Sequence, residues 1–165
     1  MEELLEDTVL LQLRINGKLH EIEIPPSMSL LDLLREELSF NGTHMGCMTG
    51  HCGACTVLID GRVAKSCITL ASTLPKAKIT TIEGLANKDG SLSPVQQAFW
   101  DSAGFQCGYC APGMLLSTME LLDENADPSD EEIKVALDGT LCRCTGYQSI
   151  IRAVKEAAKK LQTVS

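Results

Sequence analysis

The side chains of this chain best suited to chemistry are its eight cysteines, and they are not scattered. Cys47, Cys52, Cys55 and Cys67 form one set, and Cys107, Cys110, Cys142 and Cys144 form another. The first set reads C-x4-C-x2-C, then eleven residues, then Cys67. Three thiolates from one loop and a fourth from across a hairpin is the plant-type [2Fe–2S] arrangement, although the last gap is shorter than in an ordinary plant ferredoxin. Gly46, Gly50 and Gly53 lie in the same loop. They are expected to let the backbone wrap closely around a cluster and turn its N–H groups toward the sulfurs, where those groups tune the potential. Structural zinc is the alternative, but it favours paired C-x2-C knuckles.

The second set reads C-x2-C, thirty-one residues, then C-x-C. "QCGYC" alone would pass for a thioredoxin-like redox pair, which calls for a βαβ setting; here the flanking sequence reads as helix. "CRC" in an extended turn puts both sulfurs on one metal centre while Arg143 points away. Cys110 precedes a helix that Pro112 starts, and Cys142 and Cys144 precede the last helix. Helix N-termini offer unpaired N–H groups and partial positive charge, and both favour a net-negative thiolate centre. With four thiolates accounted for in each set, His51 reads as a loop residue near the first, and His44 and His20 as surface residues. Trp100, Tyr109 and the methionines read as packing rather than as redox relays.

The elements that must carry these residues change character along the chain. "VLLQLRI" and "KLHEIEI" alternate around Asn16-Gly17, a strong hairpin signal, and Pro25-Pro26 stops the second strand. "SLLDLLREELSF" begins with Ser29 and Asp32 in capping-box-like spacing and carries leucines at 30, 31, 33, 34 and 38, which predicts a helix. "TVLIDGRVAKS" is a second hairpin around Asp60-Gly61, and "AKITTIEG" a last strand. Two hairpins and a strand around one helix predict a β-grasp. Beyond it the period becomes helical: Ser93-Pro94 opens one helix, Pro112 a second, Ser129 and Glu132 a third in capping-box spacing, and "YQSIIRAVKEAAKKL" a fourth whose late lysines suit the helix dipole. Four helices without strands predict a small bundle. The fold class is thus α+β: a ferredoxin-like β-grasp domain over 1–84 and a helical-bundle domain over 85–165, with one cysteine set in each.

Composition narrows the partners. The chain has 165 residues, 44% of them hydrophobic and only 4% aromatic, so aliphatic side chains must fill its cores. A net charge of −8 repels phosphate backbones, so nucleic acid is not an expected partner. No apolar run reaches the roughly 18 residues of a membrane span. The acids of "MEELLEDTVLLQLRING" stand where a secretory signal would carry Lys or Arg, so the chain is expected to be soluble and cytoplasmic, with export in a pre-folded complex left open. In a reducing compartment, clustered cysteines point to metal or redox chemistry rather than to disulfides. No G-x-G-x-x-G or P-loop offers a nucleotide site, and no cluster of ionisable groups suggests hydrolytic or proton-transfer catalysis, so no catalytic residue is expected here.

"GCMTGHCGACTV", "QCGYCAPGM" and "LCRCTGY", in this order and spacing, resemble the small iron–sulfur subunit of the molybdenum hydroxylases, the xanthine oxidase and dehydrogenase family. The resemblance runs from the first hairpin to the last helix. "GTHMGCMTGHCGACTV", "ITTIEG" and "LCRCTGYQSIIRAV" look closest to the carbon monoxide dehydrogenase and aldehyde oxidoreductase type. Ala111 stands where the family usually has threonine, which removes a hydroxyl close to the second site. The resemblance implies an electron-transfer subunit with two [2Fe–2S] clusters. A large partner would hold a molybdenum-pterin cofactor (molybdopterin cytosine dinucleotide) and the substrate, which would be carbon monoxide, an aldehyde or an N-heterocycle. A medium partner would hold FAD, and the whole is expected to be a dimer of heterotrimers. It also implies that Cys107, Cys110, Cys142 and Cys144 bind the cluster nearest the pterin, and Cys47, Cys52, Cys55 and Cys67 the one nearest the flavin. Gln106 would hydrogen-bond the pterin, and Cys144 would lie close to it. A free-standing ferredoxin-like carrier is the alternative.

Overall fold

The computed structural model describes residues 7–164; the acidic residues 1–6, which entered the expectation about a secretory signal, lie outside them. The chain opens with β1 (Val9–Ile15) and β2 (Lys18–Ile24), paired antiparallel from Val9↔Ile24 to Ile15↔Lys18. Asn16 and Gly17 both take positive φ, 49° and 81°, as the two-residue turn requires. Alternation decides the faces: Leu11, Leu13 and Ile15 are buried, while Gln12 and Arg14 are exposed. The second hairpin, β3 (Thr56–Ile59) and β4 (Arg62–Lys65), turns the same way on Asp60 and Gly61. The last strand, β5 (Lys78–Thr80), lies between the hairpins, parallel to β1 and antiparallel to β3. The order β2-β1-β5-β3-β4 is the mixed sheet of a β-grasp.

The helix under the sheet departs from the sequence reading. Only Leu30–Asp32 (α1) is α-helical, started by Ser29, whose hydroxyl accepts from Asp32 N–H at 3.0 Å. From Leu33 to Glu37 the coil widens into a π turn, with Leu38 N–H reaching back to Leu33 O and Phe40 N–H to Leu34 O. The wider turn buries Leu30, Leu31, Leu33 and Leu34 together. Leu30, Leu33 and Leu34 pack under the sheet with Ile24, Val57 and Ile79, while Leu31 packs against Cys55 and Cys67. Leu38, expected on the same apolar face, is only half-buried.

The helical half contains the four expected helices: α2 (Pro94–Asp101), α3 (Ala111–Glu124), α4 (Asp130–Leu137) and α5 (Gln148–Val164). Complete capping boxes start α2, through Ser93 and Gln96, and α4, through Ser129 and Glu132. Phe99, Met114, Leu116, Ile133, Ile150 and Val154 form its centre, and Leu58 of β3 belongs to the same cluster. The two halves are therefore joined by apolar packing as well as by polar contacts. Arg62 on β4 pairs with Glu120 and Glu124 of α3, and Glu120 also accepts from Val63 N–H at 3.2 Å. Among the described residues no helix is long and apolar enough to cross a membrane.

Candidate metal centres

Each sequence-defined cysteine set is gathered by the fold, and within each set the thiols approach in pairs. Cys47, Cys52 and Cys55 come from the loop between the π turn and β3. Cys67 comes from a short 3-10 turn, Ser66–Ile68, that follows β4. The hairpin brings this turn back to the loop: Ser66 donates to Cys55 O through its N–H at 3.3 Å and its hydroxyl at 2.7 Å. Cys55 and Cys67 are buried against each other, and burial, followed by the hydrogen bond with Cys55, pushes the Cys67 thiol up to about 11. Cys47 is the opposite case. The N–H groups of Thr49 and Cys52 point at its sulfur at 3.4 and 3.3 Å. Hydrogen bonding by Thr49, then Cys52, holds its pKa down to about 5. Backbone N–H groups aimed at a sulfur are what a thiolate bound to iron needs.

The glycines divide their work in a way the sequence does not reveal. A Cβ on Gly46 would stand 2.6 Å from Cys52 Sγ, so this position is a close approach of backbone to sulfur. Gly50, at φ +79°, directs its N–H to Cys67. Gly53, at φ +74°, serves the junction instead: its Cβ would meet Gly139 O at 2.3 Å and Thr140 Cα at 2.6 Å. A Cβ on Gly113 of α3 would in turn stand 2.4 Å from Gly53 O.

The second set spans three segments. Cys107 lies in the loop after α2, Cys110 is the N-cap of α3, and Cys142 and Cys144 lie in the turn before α5. Cys107 and Cys144 are exposed, with their sulfurs 3.6 Å apart. Cys110 and Cys142 form the inner pair. Burial, then the hydrogen bond with Cys142, pushes the Cys110 thiol up to about 12. Burial also raises Cys142, but the Thr145 hydroxyl and the N–H groups of Thr145 and Cys144 outweigh it and bring the net shift down. Cys142 N–H is itself tied to the Tyr147 hydroxyl at 2.8 Å. Tyr147, at φ 68°, is the residue from which α5 starts, with Ile151 N–H on its carbonyl. Arg143 is exposed, as is Gln106 beside Cys107.

Among the described residues, no three Cys, His, Asp or Glu side chains converge on a single point. Two pairs of thiols facing one another suit a centre of two iron atoms, each taking two thiolates, better than one tetrahedral zinc. Close-approach glycines and sulfur-directed N–H groups fit the same group.

The two sets share a crevice of about 250 Å³, lined by Cys47 and Cys52 on one side and by Cys107, Cys110, Cys142 and Cys144 on the other. Leu141 N–H donates to Cys52 O at 2.9 Å, so one hydrogen bond links a residue of the first set to the neighbour of Cys142. A second link corrects the reading of His44 as a surface residue. Its ring is half-buried and stacks on Tyr109, with centroids 4.5 Å apart. His44 Nδ1–H donates to Tyr109 O at 2.8 Å, and the Tyr109 hydroxyl donates to Met45 O at 2.5 Å. The two cysteine loops are thus clasped together in both directions. His20 is also half-buried, edge-on to Phe40. His51 is an exposed loop residue, as expected, with Nδ1 3.1 Å from the Thr49 hydroxyl. Trp100 is not a packing residue: it is 66% exposed and touches Phe105 edge-on. Met45 and Met48 are exposed too, whereas Met114 is buried.

Comparison with known proteins finds a [2Fe–2S] family in each half of the chain. Residues 13–84 match the 2Fe-2S iron–sulfur cluster binding domain family, and residues 81–155 match the [2Fe-2S] binding domain family. The chain is 45% identical over 152 residues to the nicotinate dehydrogenase small FeS subunit of Eubacterium barkeri, spanning 92% of this chain and 96% of that one. It superposes on quinoline 2-oxidoreductase from Pseudomonas putida 86 with a TM-score of 0.90 and 39% identity, over 94% of this chain and 97% of that chain. The aldehyde oxidoreductase of Desulfovibrio desulfuricans ATCC 27774 contains the same fold, with a TM-score of 0.89 and 38% identity, over 93% of this chain and 17% of that longer one.

Proposed function

This chain belongs to the small iron–sulfur subunits of the molybdenum hydroxylases and aldehyde oxidoreductases, and we propose that it relays electrons from a molybdenum-pterin centre in a large partner to FAD in a medium partner. In this reading the sheet domain, 1–84, holds one [2Fe–2S] cluster through Cys47, Cys52, Cys55 and Cys67. The helical domain, 85–165, holds the other through Cys107, Cys110, Cys142 and Cys144. Each cluster, when bound, takes and gives one electron at a time. The chain's own residues fix where those electrons can go. Cys107, Cys144 and Gln106, the neighbour of Cys107, are all exposed, which supports a pterin contact at the second site. Gln106 would hold the pterin by its side-chain amide.

The observation that carries the reading is the shared crevice, with thiols of both sets on its walls and the Leu141–Cys52 hydrogen bond across it. Two redox sites built back to back make a wire rather than two separate stores. Partner contact has its own support. Six of the twelve exposed large apolar side chains among the described residues flank the cysteines: Met45, Met48, Ile68, Leu70, Tyr109 and Leu141. Apolar side chains crowded round redox sites suit burial against other subunits better than the surface of a free carrier. In this reading the assembly is cytoplasmic, with two heterotrimers per complex.

Purification from the natural source tests the proposal. The chain is expected to copurify with two larger chains, one carrying molybdenum and one carrying flavin. Recovery only as a monomer would end the subunit reading in favour of a free carrier. Within the complex, Gln106→Ala is expected to slow the first reduction of iron by substrate while leaving iron content unchanged; unchanged reduction kinetics would remove the pterin contact.

A further inference from the structure

One charged side chain, Lys65, stands beside the first site. Lys65 stands on β4 directly across the hairpin from Thr56, the residue after Cys55, and two residues before Cys67. Its ammonium donates to the Thr56 hydroxyl at 2.8 Å. That hydroxyl gives its own proton to Gly53 O at 2.7 Å, so toward the lysine it only accepts, and the head group is held in one direction. The helical half closes over the other side: a Cβ on Gly139 would stand 3.3 Å from Lys65 Nζ. The side chain is half-buried, and among the described residues no carboxylate pairs with it. Burial holds the lysine's pKa below the usual lysine range, and the neighbouring thiols Cys55, Cys52, Cys67 and Cys47 oppose that shift without cancelling it.

We infer that Lys65 is held in place as a fixed positive charge that raises the reduction potential of the centre bound by Cys47, Cys52, Cys55 and Cys67. The inference rests on the two-cluster reading above. One electron added to a site of four thiolates, two sulfides and two ferric ions takes its net charge from −2 to −3. A cation close by favours the more negative state. A half-buried unit charge within about 10 Å shifts a one-electron equilibrium by roughly tenfold, which is about 59 mV. Arg143, the cation beside the second set, is exposed, and water and salt screen it. Lys65, across the hairpin from the residue after Cys55 and two residues before Cys67, acts chiefly on the first site. It makes the first site a better electron acceptor than it would be without the charge, which favours flow away from Cys144.

A charge series in the loaded complex tests this. Potentiometric titration with dithionite, read by electron paramagnetic resonance, follows the two cluster signals separately; the first-site signal is the one disturbed by Cys47→Ser. Lys65→Met is expected to lower the potential of that signal by about 59 mV, a tenfold change at fixed poise, with the second signal unmoved. Lys65→Arg is expected to restore the native value, and Lys65→Glu to lower it further. Lys65→Gln keeps a donor for Thr56 without the charge, so it gives the reading if the methionine variant loses iron. An unmoved first signal in the neutral variants overturns the inference, as does an equal shift of both signals. If the native complex shows no pair of [2Fe–2S] signals, the two-cluster reading itself fails, a result distinct from either.

Discussion

Replacing Gly53 by alanine should break the junction between the two sites, and its cost follows from distances. Gly53 sits at φ +74°, where an L-residue loses about 1–2 kcal/mol against the right-handed alternatives. The added Cβ would also stand 2.3 Å from Gly139 O, 2.6 Å from Thr140 Cα and 2.6 Å from Thr140 Oγ1. Two of those neighbours are backbone, so no side-chain rotation relieves the clash. Overpacking of this kind costs about 1–3 kcal/mol or more. The movement it forces would stretch the Leu141–Cys52 hydrogen bond, for a further loss of about 1 kcal/mol. The sum, about 3–6 kcal/mol, is a large part of the roughly 5–15 kcal/mol that holds a domain folded. Gly61→Ala supplies the control, because Gly61 has φ +87° with nothing within 4 Å of its Cβ. It carries the backbone cost alone, about 1–2 kcal/mol. The assay is the temperature at which half of the visible iron–sulfur absorbance is lost, together with iron per purified chain. Gly53→Ala is expected to lower both well below Gly61→Ala. Equal behaviour of the two variants would refute the argument that the halves are welded at Gly53.

Two smaller perturbations examine the same junction. Tyr109→Phe removes the hydroxyl that donates to Met45 O while keeping the stack on His44, so a loss of about 1 kcal/mol is expected. In a double-mutant cycle with His44→Ala the two changes should be non-additive, and strict additivity would show that the clasp does not act as a unit. Glu120→Ala strands the half-buried Val63 N–H and removes one of the two carboxylates that pair with Arg62, and should cost about 1–3 kcal/mol in thermal unfolding. Glu124→Ala removes only the exposed partner of Arg62 and should cost under about 1 kcal/mol; a reversed order would contradict the assigned contacts.

Much of this architecture is legible in the sequence because local chemistry dictates it. Asn16-Gly17 and Asp60-Gly61 can take the positive φ angles of a tight hairpin, and both do. Ser93 with Gln96, and Ser129 with Glu132, satisfy helix-end N–H groups within four residues, so no distant partner is needed to recognise them. The division of the cysteines into two sets is likewise visible in spacing. What stayed hidden depends on contacts far apart in the chain. The π turn at Leu33–Glu37 carries the same leucine pattern as an α-helix, and only the need to bury Leu31 against Cys55 and Cys67 as well as Leu30 against the sheet tells them apart. His44 and Tyr109 are 65 residues apart, and nothing near either announces the stack. Gly53 reads as one more loop glycine until Gly139 and Thr140 arrive beside it. Lys65 looks like an ordinary strand-end cation until Thr56 fixes it and Gly139 covers it. Trp100 reads as core by residue type, yet α2 turns it outward.

In the proposed function the eight cysteines hold two separate clusters, four thiolates each. The most direct measurement of this division is electron paramagnetic resonance of the dithionite-reduced complex carrying Cys144→Ser. In the native protein two [2Fe–2S] signals are expected, with about four iron per chain. In the variant only one signal should change, while the other keeps its shape, intensity and potential. Loss of both signals from a folded protein, or a change confined to the signal that Cys47→Ser also disturbs, would contradict the division.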